Sequence, residues 1–358
     1  MAIANTNIDE QKLEAFIGHA ATELGAALNA ALVTLGDELG LYRAMADGQP
    51  VSPAELAART GTQERYVLEW LNAQAASGFV VYDAEAAAYL LPPEHALVLA
   101  DESSPFSMTG TFQSANAAIA VRDRLGERFV NGDGVGWHEH HHGLWHGVER
   151  AFAAGDRTYL VSEWLPALDG VVAKLEAGAL VADVGCGHGA STILMARAFP
   201  ASRFVGIDYH ADSIETARRR ATEAGVANRV TFEVAGASDF AGEGYDLVAF
   251  FDSFHDLGDP LAAARRAALA LAPGGTCMLV EPFAGDRVEA NLNPIGRLYY
   301  GFSTLVCTPG FLSQPGRAAL GTQAGEARLR EVLQAAGFGP VRRAAETPLN
   351  LVLEARLP

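Results

Sequence analysis

The C-terminal half of the chain alternates short apolar runs with helical patterns, and this alternation constrains the fold more than any other feature. From residue 180 onward the runs LVADVG, RFVGID, RVTFEV, YDLVAFF and TCMLVEP are separated mostly by segments with helical periodicity. Strands that alternate with helices form parallel sheets, because each crossover helix packs against a face of the sheet. We therefore predict an α/β fold for this half of the chain.

A glycine-rich turn follows the first of these strands. The stretch VADVGCGHGAST carries Gly185, Gly187 and Gly189 where the strand ends and a helix begins. A loop without Cβ atoms can turn tightly, and its backbone can approach a bound ligand closely. Asp208 ends the next strand, where a carboxylate can accept hydrogen bonds from ribose hydroxyls. Together, the loop and the carboxylate predict a site for a cofactor that contains adenosine.

The details of this loop resemble the class I S-adenosylmethionine-dependent methyltransferases, whose first motif reads E/DxGxGxG. Asp183 lies two residues before the first glycine of DVGCGHG, and the segments VAGASDF, YDLVAFFDSFHDLGD and LALAPGGTCMLVEP follow in the order found in that family. The resemblance covers residue 180 to the C-terminus. It implies a Rossmann-like, seven-stranded methyltransferase sheet and S-adenosyl-L-methionine as the cofactor.

The resemblance also implies which residues bind the cofactor. Asp183 and the three glycines would hold its methionine end, Asp208 its ribose, and Ser238 with Asp239 its adenine. The full set expected at the cofactor comprises the loop and the neighbouring strand ends: Asp183, Gly185, Gly187, Gly189, Asp208, Tyr209, Ser238, Asp239, Phe251 and Asp252.

A histidine follows the fourth strand of this half, at the sheet edge where open α/β folds bind ligands. His255 in FFDSFHDLGD resembles the catalytic base of plant-type small-molecule O-methyltransferases, which place it in an HDW segment; the tryptophan is Leu257 here. Glu281 in LVEP matches the carboxylate that orients this histidine in those enzymes. The resemblance implies a base and its orienting carboxylate. A role of His255 in shaping the pocket is the alternative.

The N-terminal part has the order of a winged helix. Residues 14–45 have the periodicity of two helices that need a partner surface, and a helix, a turn at Gly61, a helix over 64–76 and two short strands follow. Residues 1–100 contain four basic and thirteen acidic residues, and the net charge of the chain is −17. Because nucleic-acid binding relies on cations that meet phosphates, we expect no nucleic-acid partner and interpret this part as a dimerisation module.

These patterns divide the chain into three parts. Residues 1–100 form the helical winged-helix dimerisation domain, 101–178 a helical linker and substrate cover, and 179–358 the catalytic domain. Within the last part, an insertion at about 284–322 is expected to cover the substrate pocket. The enzymes with an N-terminal winged helix that the chain resembles imply a homodimer.

The stretch GWHEHHHGLWHG contains five of the ten histidines of the chain. His138, His142 and His146 recur at the spacing that places side chains on one helix face. We expect part of this cluster and the later insertion to line the acceptor pocket, with these residues at the substrate: Trp137, His141, Trp145, His146, Arg297 and Tyr299. A metal site formed by the cluster and an exposed position of these histidines are the alternatives; our preferred interpretation includes no metal.

The cysteines and the N-terminus bear on localisation. Cys186, Cys277 and Cys307 are odd in number and lack CxxC spacing, which is typical of a reducing cytoplasm. The first residues lack a secretory pattern and we find no long apolar run, so we expect a cytoplasmic protein without a membrane partner. The predicted function is S-adenosylmethionine-dependent methylation of a small apolar or aromatic acceptor, with O-methylation favoured. C- or N-methylation and a winged-helix regulator that binds S-adenosylmethionine are the alternatives.

Overall fold

The computed structural model describes residues 8–318 and 320–358. The chain forms two compact units. The first comprises the residues up to Asn116 together with His146–Ala151, and the second comprises Ala117–Trp145 and Phe152–Pro358. The predicted α/β fold with a helical winged-helix part is confirmed.

The first unit contains the winged helix. Its elements, in chain order, are α1 Glu10–Glu38, α2 Leu41–Ala44, α3 Pro53–Thr60, α4 Glu64–Ala76, β1 Val81–Asp83, β2 Ala88–Leu90 and α5 Pro93–Leu99. Helix α3 begins with a capping box in which the side chains of Ser52 and Glu55 each bind the other's backbone N–H. It ends at Gly61 with a positive φ of 68°. This left-handed residue ends the helix and allows α4 to begin three residues later.

The two helices predicted over residues 14–45 are present as α1 and α2. They are very unequal in length, because α2 has only four residues. Helix α1 runs unbroken for 29 residues. Its side chains Phe16, Leu24 and Leu28 are 66%, 69% and 72% exposed. Among the described residues it is the one helix long and apolar enough to cross a membrane by length and composition, a test that core helices of soluble proteins and signal sequences also pass. These exposed side chains have little cover from the part of the chain that the structure describes.

The second unit is built on a seven-stranded sheet. Its strands are β3 Leu180–Val184, β4 Arg203–Asp208, β5 Val230–Val234, β6 Tyr245–Phe251, β7 Leu271–Pro282, β8 Val341–Glu346 and β9 Asn350–Arg356. The order across the sheet is β5-β4-β3-β6-β7-β9-β8, and the pairs from β5 to β7 are parallel. Strand β9 pairs antiparallel with both β7 and β8.

Helices cover both faces of this sheet. The helices after α5, of which α6 lies mostly in the first unit and α8 is divided between the two units, are α6 Thr109–Ile119, α7 Arg122–Asn131, α8 Gly143–Gly155, α9 Val171–Ala177, α10 Ala190–Ala198, α11 Ala211–Glu223, α12 Pro260–Ala270, α13 Pro294–Phe302, α14 Thr308–Leu312 and α15 Gly325–Ala335. Val181 of β3 packs in one buried cluster, and its neighbours Ala182 and Val184 pack in another. Successive residues of a strand point to opposite faces, so a strand buried on both faces reads as a continuous apolar run.

The histidine stretch does not form the single helix face that its spacing predicts. A 3-10 turn covers Trp137–Glu139, and helix α8 begins only at Gly143. His140 between them has an extended conformation with φ of −74° and ψ of 160°. The prediction that His138, His142 and His146 share one helix face is therefore wrong, because the glycine at 143 starts a new helix after the break.

Candidate active site

The carboxyl ends of the parallel strands define one edge of the sheet, where the strand order reverses between β3 and β6. Loops that leave β3, β4, β6 and β7 meet at this edge, and open α/β sheets bind ligands at such a reversal. The residues predicted at the cofactor and the His255–Glu281 pair lie at the ends of these strands, on the loops that follow them and on the turn after β5.

The glycine loop after β3 is held close to its neighbours. Gly185 has φ of +79°, and a Cβ atom there would lie 2.5 Å from the Cβ of Ser253. Gly187 has φ of +52°, and no heavy atom lies within 4 Å of the position its Cβ would take. The backbone N–H of Gly187 donates to Asp208 Oδ2 at 3.0 Å. The loop therefore presents bare backbone to an open space bordered by the Asp208 carboxylate.

Asp183 lies buried beneath this loop. The hydroxyls of Ser191 and Thr192 donate to its Oδ2 at 2.6 and 2.5 Å. Its Oδ1 is buried and has no hydrogen-bond partner among the described residues. Burial raises the pKa of Asp183 to about 6, although the two hydroxyls lower it. A buried carboxylate oxygen without a partner is costly unless a cation or donor meets it, so the site fits the ammonium group of a bound amino acid.

Asp208 ends β4 and is organised by backbone groups. Its Oδ1 accepts from the N–H of His210 at 2.8 Å, while its Oδ2 accepts from the loop. Each carboxylate oxygen keeps a second lone pair that can accept from a hydroxyl. Burial is the main reason why the pKa of Asp208 is raised. The geometry fits the predicted contact with a ribose.

The other predicted cofactor residues lie around this edge. Tyr209 is 49% exposed, and burial of its hydroxyl raises its pKa to about 12. Ser238 and Asp239 are exposed on the turn after β5. Asp252, just after β6, has φ of +46°, which is unusual for a residue with a side chain. Such strain is found mostly at binding and catalytic sites.

A further carboxylate belongs to this environment and was missed by the sequence analysis. Asp156 opens a π-helical segment, Asp156–Trp164, and burial followed by the charge of Asp183 raises its pKa to about 7. The charge of Asp156 in turn contributes to a raised pKa of Asp252, after burial and Glu281. The charges of Asp183, Asp156 and Glu281 each raise the pKa of a neighbouring carboxylate, so this edge favours a cationic ligand. No pattern in the sequence around Asp156 indicates this position.

The structure brings His255 and Glu281 together as predicted. Both are buried, and His255 Nδ1 lies 2.7 Å from Glu281 Oε2. The backbone N–H groups of Phe254 and His255 also donate to the Glu281 carboxylate, at 2.9 and 3.2 Å. Glu281 is thus fixed by three donors, and it fixes the tilt of the imidazole and the proton on Nδ1.

The second ring nitrogen of His255 has its own neighbours. Nε2 lies 3.2 Å from Asp256 Oδ1 and 3.7 Å from Cys307 Sγ. Burial alone would lower the pKa of His255, but the carboxylates of Asp256 and Glu281 together raise it well above its usual value. The resting site therefore favours a positive charge on or beside Nε2.

The residues expected at the acceptor are distributed unevenly. Trp145 is half-buried, and its ring centroid lies 5.5 Å from that of His210, next to the carboxylate of β4. Its Nε1 donates to the carbonyl of Trp137. His141 and Arg297 lie at exposed positions, and so does His146, which belongs to the first unit.

Two further residues complete this picture. The hydroxyl of Tyr299 donates to the carbonyl of Leu349 at 2.8 Å, and burial, with the charge of Asp252, raises its pKa. His140 is the buried histidine of the cluster, at 5% exposure, and the sequence analysis did not assign it to the substrate. Its burial follows from the break in the helix pattern, which the spacing of the histidines did not reveal.

The sheet order, the glycine loop and the carboxylate that ends β4 fit the class I S-adenosylmethionine-dependent methyltransferase domain that the sequence resembles. Two family models match the chain: an Rv2258c-like winged HTH domain over residues 26–101 and a methyltransferase domain over residues 175–334. The chain therefore combines a winged-helix domain of this type with a methyltransferase domain, as the sequence resemblance implied.

Individual relatives match over parts of their length. The chain is 32% identical over 162 residues to the 27-O-demethylrifamycin SV methyltransferase of Amycolatopsis mediterranei, which covers 43% of this chain and 57% of that enzyme. It spans about half the length of the curated relatives it matches.

Solved structures resemble nearly the whole chain in fold. An O-methyltransferase family protein from Burkholderia thailandensis has a TM-score of 0.69 at 18% identity, with 95% of this chain and 98% of that chain covered. Human N-acetylserotonin methyltransferase, solved with S-adenosylmethionine, has a TM-score of 0.68 at 16% identity, with 99% of each chain covered. These likenesses show the fold.

Proposed function

We propose that the protein transfers the methyl group of S-adenosylmethionine to an oxygen atom of a small, largely apolar or aromatic molecule. The observation that carries this proposal is the pocket edge formed by the open space at Gly187, the unpartnered Oδ1 of Asp183 and the carboxylate of Asp208. The relatives named above include methyltransferases whose names state O-methylation, which favours oxygen over nitrogen or carbon.

The residues of the chain divide the work at this site. Asp183 would bind the ammonium group of the cofactor and Asp208 its ribose, and bare loop backbone would allow close approach. When bound, the cofactor supplies an already activated methyl group, so alignment of the acceptor and exclusion of water are the main tasks of the protein.

We further propose that His255 accepts the proton of the acceptor hydroxyl at Nε2. Glu281 would hold the proton on Nδ1 and stabilise the imidazolium that forms, as an orienting carboxylate does in other enzymes. Because the pKa of His255 is raised in the resting site, this role needs a pH at which the imidazole is neutral, or an acceptor that separates Nε2 from Asp256.

Calorimetry and a methylation screen test the proposed function. S-adenosylhomocysteine should bind the purified full-length protein, and Asp208→Ala should weaken this binding by at least about tenfold, as expected for a charged hydrogen-bonding partner. Radiolabelled methyl transfer to a panel of phenols and hydroxyquinones would reveal the acceptor class. His255→Gln should keep the cofactor affinity and lower the methylation rate by about a hundredfold or more.

The result that would contradict the proposal is equally direct. A well-folded protein that gives no heat with S-adenosylhomocysteine or S-adenosylmethionine does not have this function. Full methylation by the His255→Gln variant would leave methyl transfer standing and remove the proposed base.

We also propose that α1 pairs with a second copy of the chain to form a homodimer. Leu13, Ile17, Leu24, Leu28 and Leu35 are all at least 44% exposed and recur at intervals of four and seven residues, along one helix face. A long apolar stripe on a soluble surface marks an interface, and a two-fold pair covers both stripes at once.

Light scattering with two variants tests the dimer. Leu24→Glu with Leu28→Glu should give monomers, whereas Ala26→Glu, which lies on the opposite side of the same exposed turn, should leave the dimer intact. A monomeric wild-type protein, or wild-type protein that partitions onto phospholipid vesicles, would contradict the proposed pairing.

A further inference from the structure

Three donor side chains of different chemistry meet at the far side of His255. The Nε2 of His255, a carboxylate oxygen of Asp256 and the Sγ of Cys307 all lie within 4.8 Å of one another. His255 and Cys307 are buried, and Asp256 is half-buried. A nitrogen, an oxygen and a sulfur at this separation can converge on one ion after small side-chain rotations, since zinc ligand bonds are about 2.0 to 2.3 Å long.

The Nδ1 side of the His255 imidazole has the hydrogen-bond partner that is usual in metal sites. Histidines that bind metals usually donate the second ring N–H to a carboxylate, which fixes the ring and leaves the remaining lone pair for the ion. Glu281 supplies this carboxylate at 2.7 Å from Nδ1 and is itself held by two backbone N–H groups. Nε2 consequently faces Asp256 and Cys307, and it offers a lone pair to an ion once its proton is lost.

An independent observation comes from His140. This histidine is 5% exposed, and both of its ring nitrogens are buried without a hydrogen-bond partner among the described residues. The Oδ1 of Asp256 is also buried without a hydrogen bond there, but His255 Nε2 lies 3.2 Å away as an ion-pair partner. Buried polar atoms are almost always paired, and the ring nitrogens of His140 lack even such a partner.

The backbone places His140 beside the other three residues, although its ring nitrogens lie outside the group of donors that are within 4.8 Å of one another. The N–H of Val135 donates to the carbonyl of Pro309 at 3.0 Å, two residues beyond Cys307. The Gln314 side chain, which follows α14, donates to the carbonyl of Asp256 at 2.9 Å. The charge of Asp256 also acts on the ring of His140, whose pKa burial lowers. Three loops of the second unit are thus tied together around one small volume.

We propose that His255, Asp256 and Cys307, named here the His255 cluster, bind a divalent transition metal ion, with Zn²⁺ as the best match; His140 borders this cluster but is not one of the three converging donors. An imidazole, a carboxylate and a thiolate are ligand types that Zn²⁺ takes in proteins, and three protein ligands leave one position open for a substrate atom. On binding, the Cys307 thiol and any protonated imidazole of the cluster lose their protons to solvent, so metal affinity should rise with pH.

The consequence for catalysis rests on the proposed function. In the metal-loaded enzyme His255 is a ligand and cannot accept a proton at Nε2. The ion would then bind the acceptor oxygen and lower the pKa of its hydroxyl, which is the task that we assign to the imidazole in the metal-free enzyme. One cluster would therefore offer two ways to prepare the same acceptor, and metal loading would select between them.

Cobalt binding tests the cluster directly. Co²⁺ added to the untagged, full-length protein after treatment with a chelator should bind at one equivalent and produce the near-ultraviolet thiolate-to-cobalt absorption. Zn²⁺ should displace it. The exposed histidines of the 138–146 stretch cannot produce this absorption, because it requires a sulfur ligand.

Matched variants separate the cluster from other sites. Cys307→Ala should abolish the absorption, and Cys277→Ala, which removes another buried free cysteine, should retain it. Glu281→Gln should weaken Zn²⁺ binding by about 10- to 100-fold, as for other carboxylates behind a metal-binding histidine. S-adenosylhomocysteine binding to each variant reports whether it folds.

The outcomes distinguish this inference from the proposed function. If the wild-type protein binds S-adenosylhomocysteine but Co²⁺ produces no thiolate absorption, the metal site does not exist and the methyltransferase assignment stands. An absorption that survives in Cys307→Ala also overturns the site. If S-adenosylhomocysteine does not bind to well-folded protein, the proposed function fails, and the cobalt spectrum still decides whether the cluster holds a metal.

Discussion

The ionised, buried carboxylate of Asp183 should lower the free energy of unfolding of the protein without cofactor. The same carboxylate should bind the cofactor. Burial raises its pKa from 3.8 to about 6 in the folded protein. A raised carboxyl pKa means that the folded state holds its proton more tightly than the unfolded state does. The stability that this provides is fully present below about pH 3.8 and is lost as the pH rises through about 6.

The size of the effect follows from this difference. At pH 7.5 the ionised carboxylate lowers the free energy of unfolding by about 3 kcal/mol relative to a group that does not titrate. At pH 5 this reduction is about half as large. Asp183→Asn removes the titration and keeps an oxygen to accept from Ser191 and Thr192. It also places an NH₂ group without a partner in the site, which offsets about 1 to 2 kcal/mol of the gain.

The variant should therefore be more stable than the wild type at pH 7.5, by about 1 to 2 kcal/mol, and the advantage should vanish near pH 5. Urea unfolding of the protein without cofactor at both pH values measures this change. Calorimetry should show at least about tenfold weaker binding of S-adenosylhomocysteine, because the charged acceptor for the ammonium group is gone.

A control and a refuting result complete the test. Asp123→Asn, at a side chain that is 88% exposed, should change neither stability nor binding measurably. If Asp183→Asn is less stable than the wild type at pH 7.5 and equally so at pH 5, the carboxylate is not strained by burial. Its unpartnered Oδ1 would then say nothing about a ligand.

Three further predictions concern the same edge of the sheet. Gly185→Ala should lower the free energy of unfolding by about 2 kcal/mol or more, because the strain of a left-handed backbone and the close contact with Ser253 both destabilise the folded state. Thermal unfolding would measure this change. Gly187→Ala should cost only the backbone term of about 1 kcal/mol in unfolding experiments but should impair S-adenosylhomocysteine binding, since its methyl group would enter the open space. The imidazolium of His255 should add stability that is complete below pH 6.5 and is lost as the pH rises through its higher folded pKa; NMR titration of its ring, compared with His255→Gln, would detect a normal pKa if this were wrong.

Much of the fold could be predicted because its signals are local. The alternation of apolar runs and helical segments reports burial on both faces of a sheet, and the turn at Gly61 reports a left-handed residue. The helix over Glu64–Ala76 was predicted with the ends that the structure shows. The pairing of His255 with Glu281 could be expected only from the resemblance to known enzymes, since a separation of 26 residues carries no geometric information by itself.

The unpredicted features depend on long-range packing. Cys307 lies 52 residues beyond His255, within a π-helical segment, Ser303–Cys307, that turns its side chain toward the sheet edge. His140 lies in the extended break between the 3-10 turn and helix α8, which begins at Gly143. The spacing of the five histidines predicted one continuous helix face and therefore did not predict that His140 is buried. Asp156 lies near Asp183 only after the segment between residues 155 and 165 packs on the sheet. None of these contacts leaves a periodic trace in the sequence.

The acidic character of the pocket bears on turnover under the proposed function. Asp156, Asp183, Asp208 and Asp252 place carboxylates around a cofactor whose sulfonium is positive before methyl transfer and neutral afterwards. The loss of that charge removes an attraction that is strongest where water is excluded, so the product should be held less tightly than the methyl donor. Burial raises the pKa of all four carboxylates, and the charges of neighbouring carboxylates raise three of them further, which shows the cost of keeping them together without a cation. A positively charged methyl donor would relieve this cost on binding, whereas its neutral product would leave most of it in place. The site can therefore bind the methyl donor more tightly than the product.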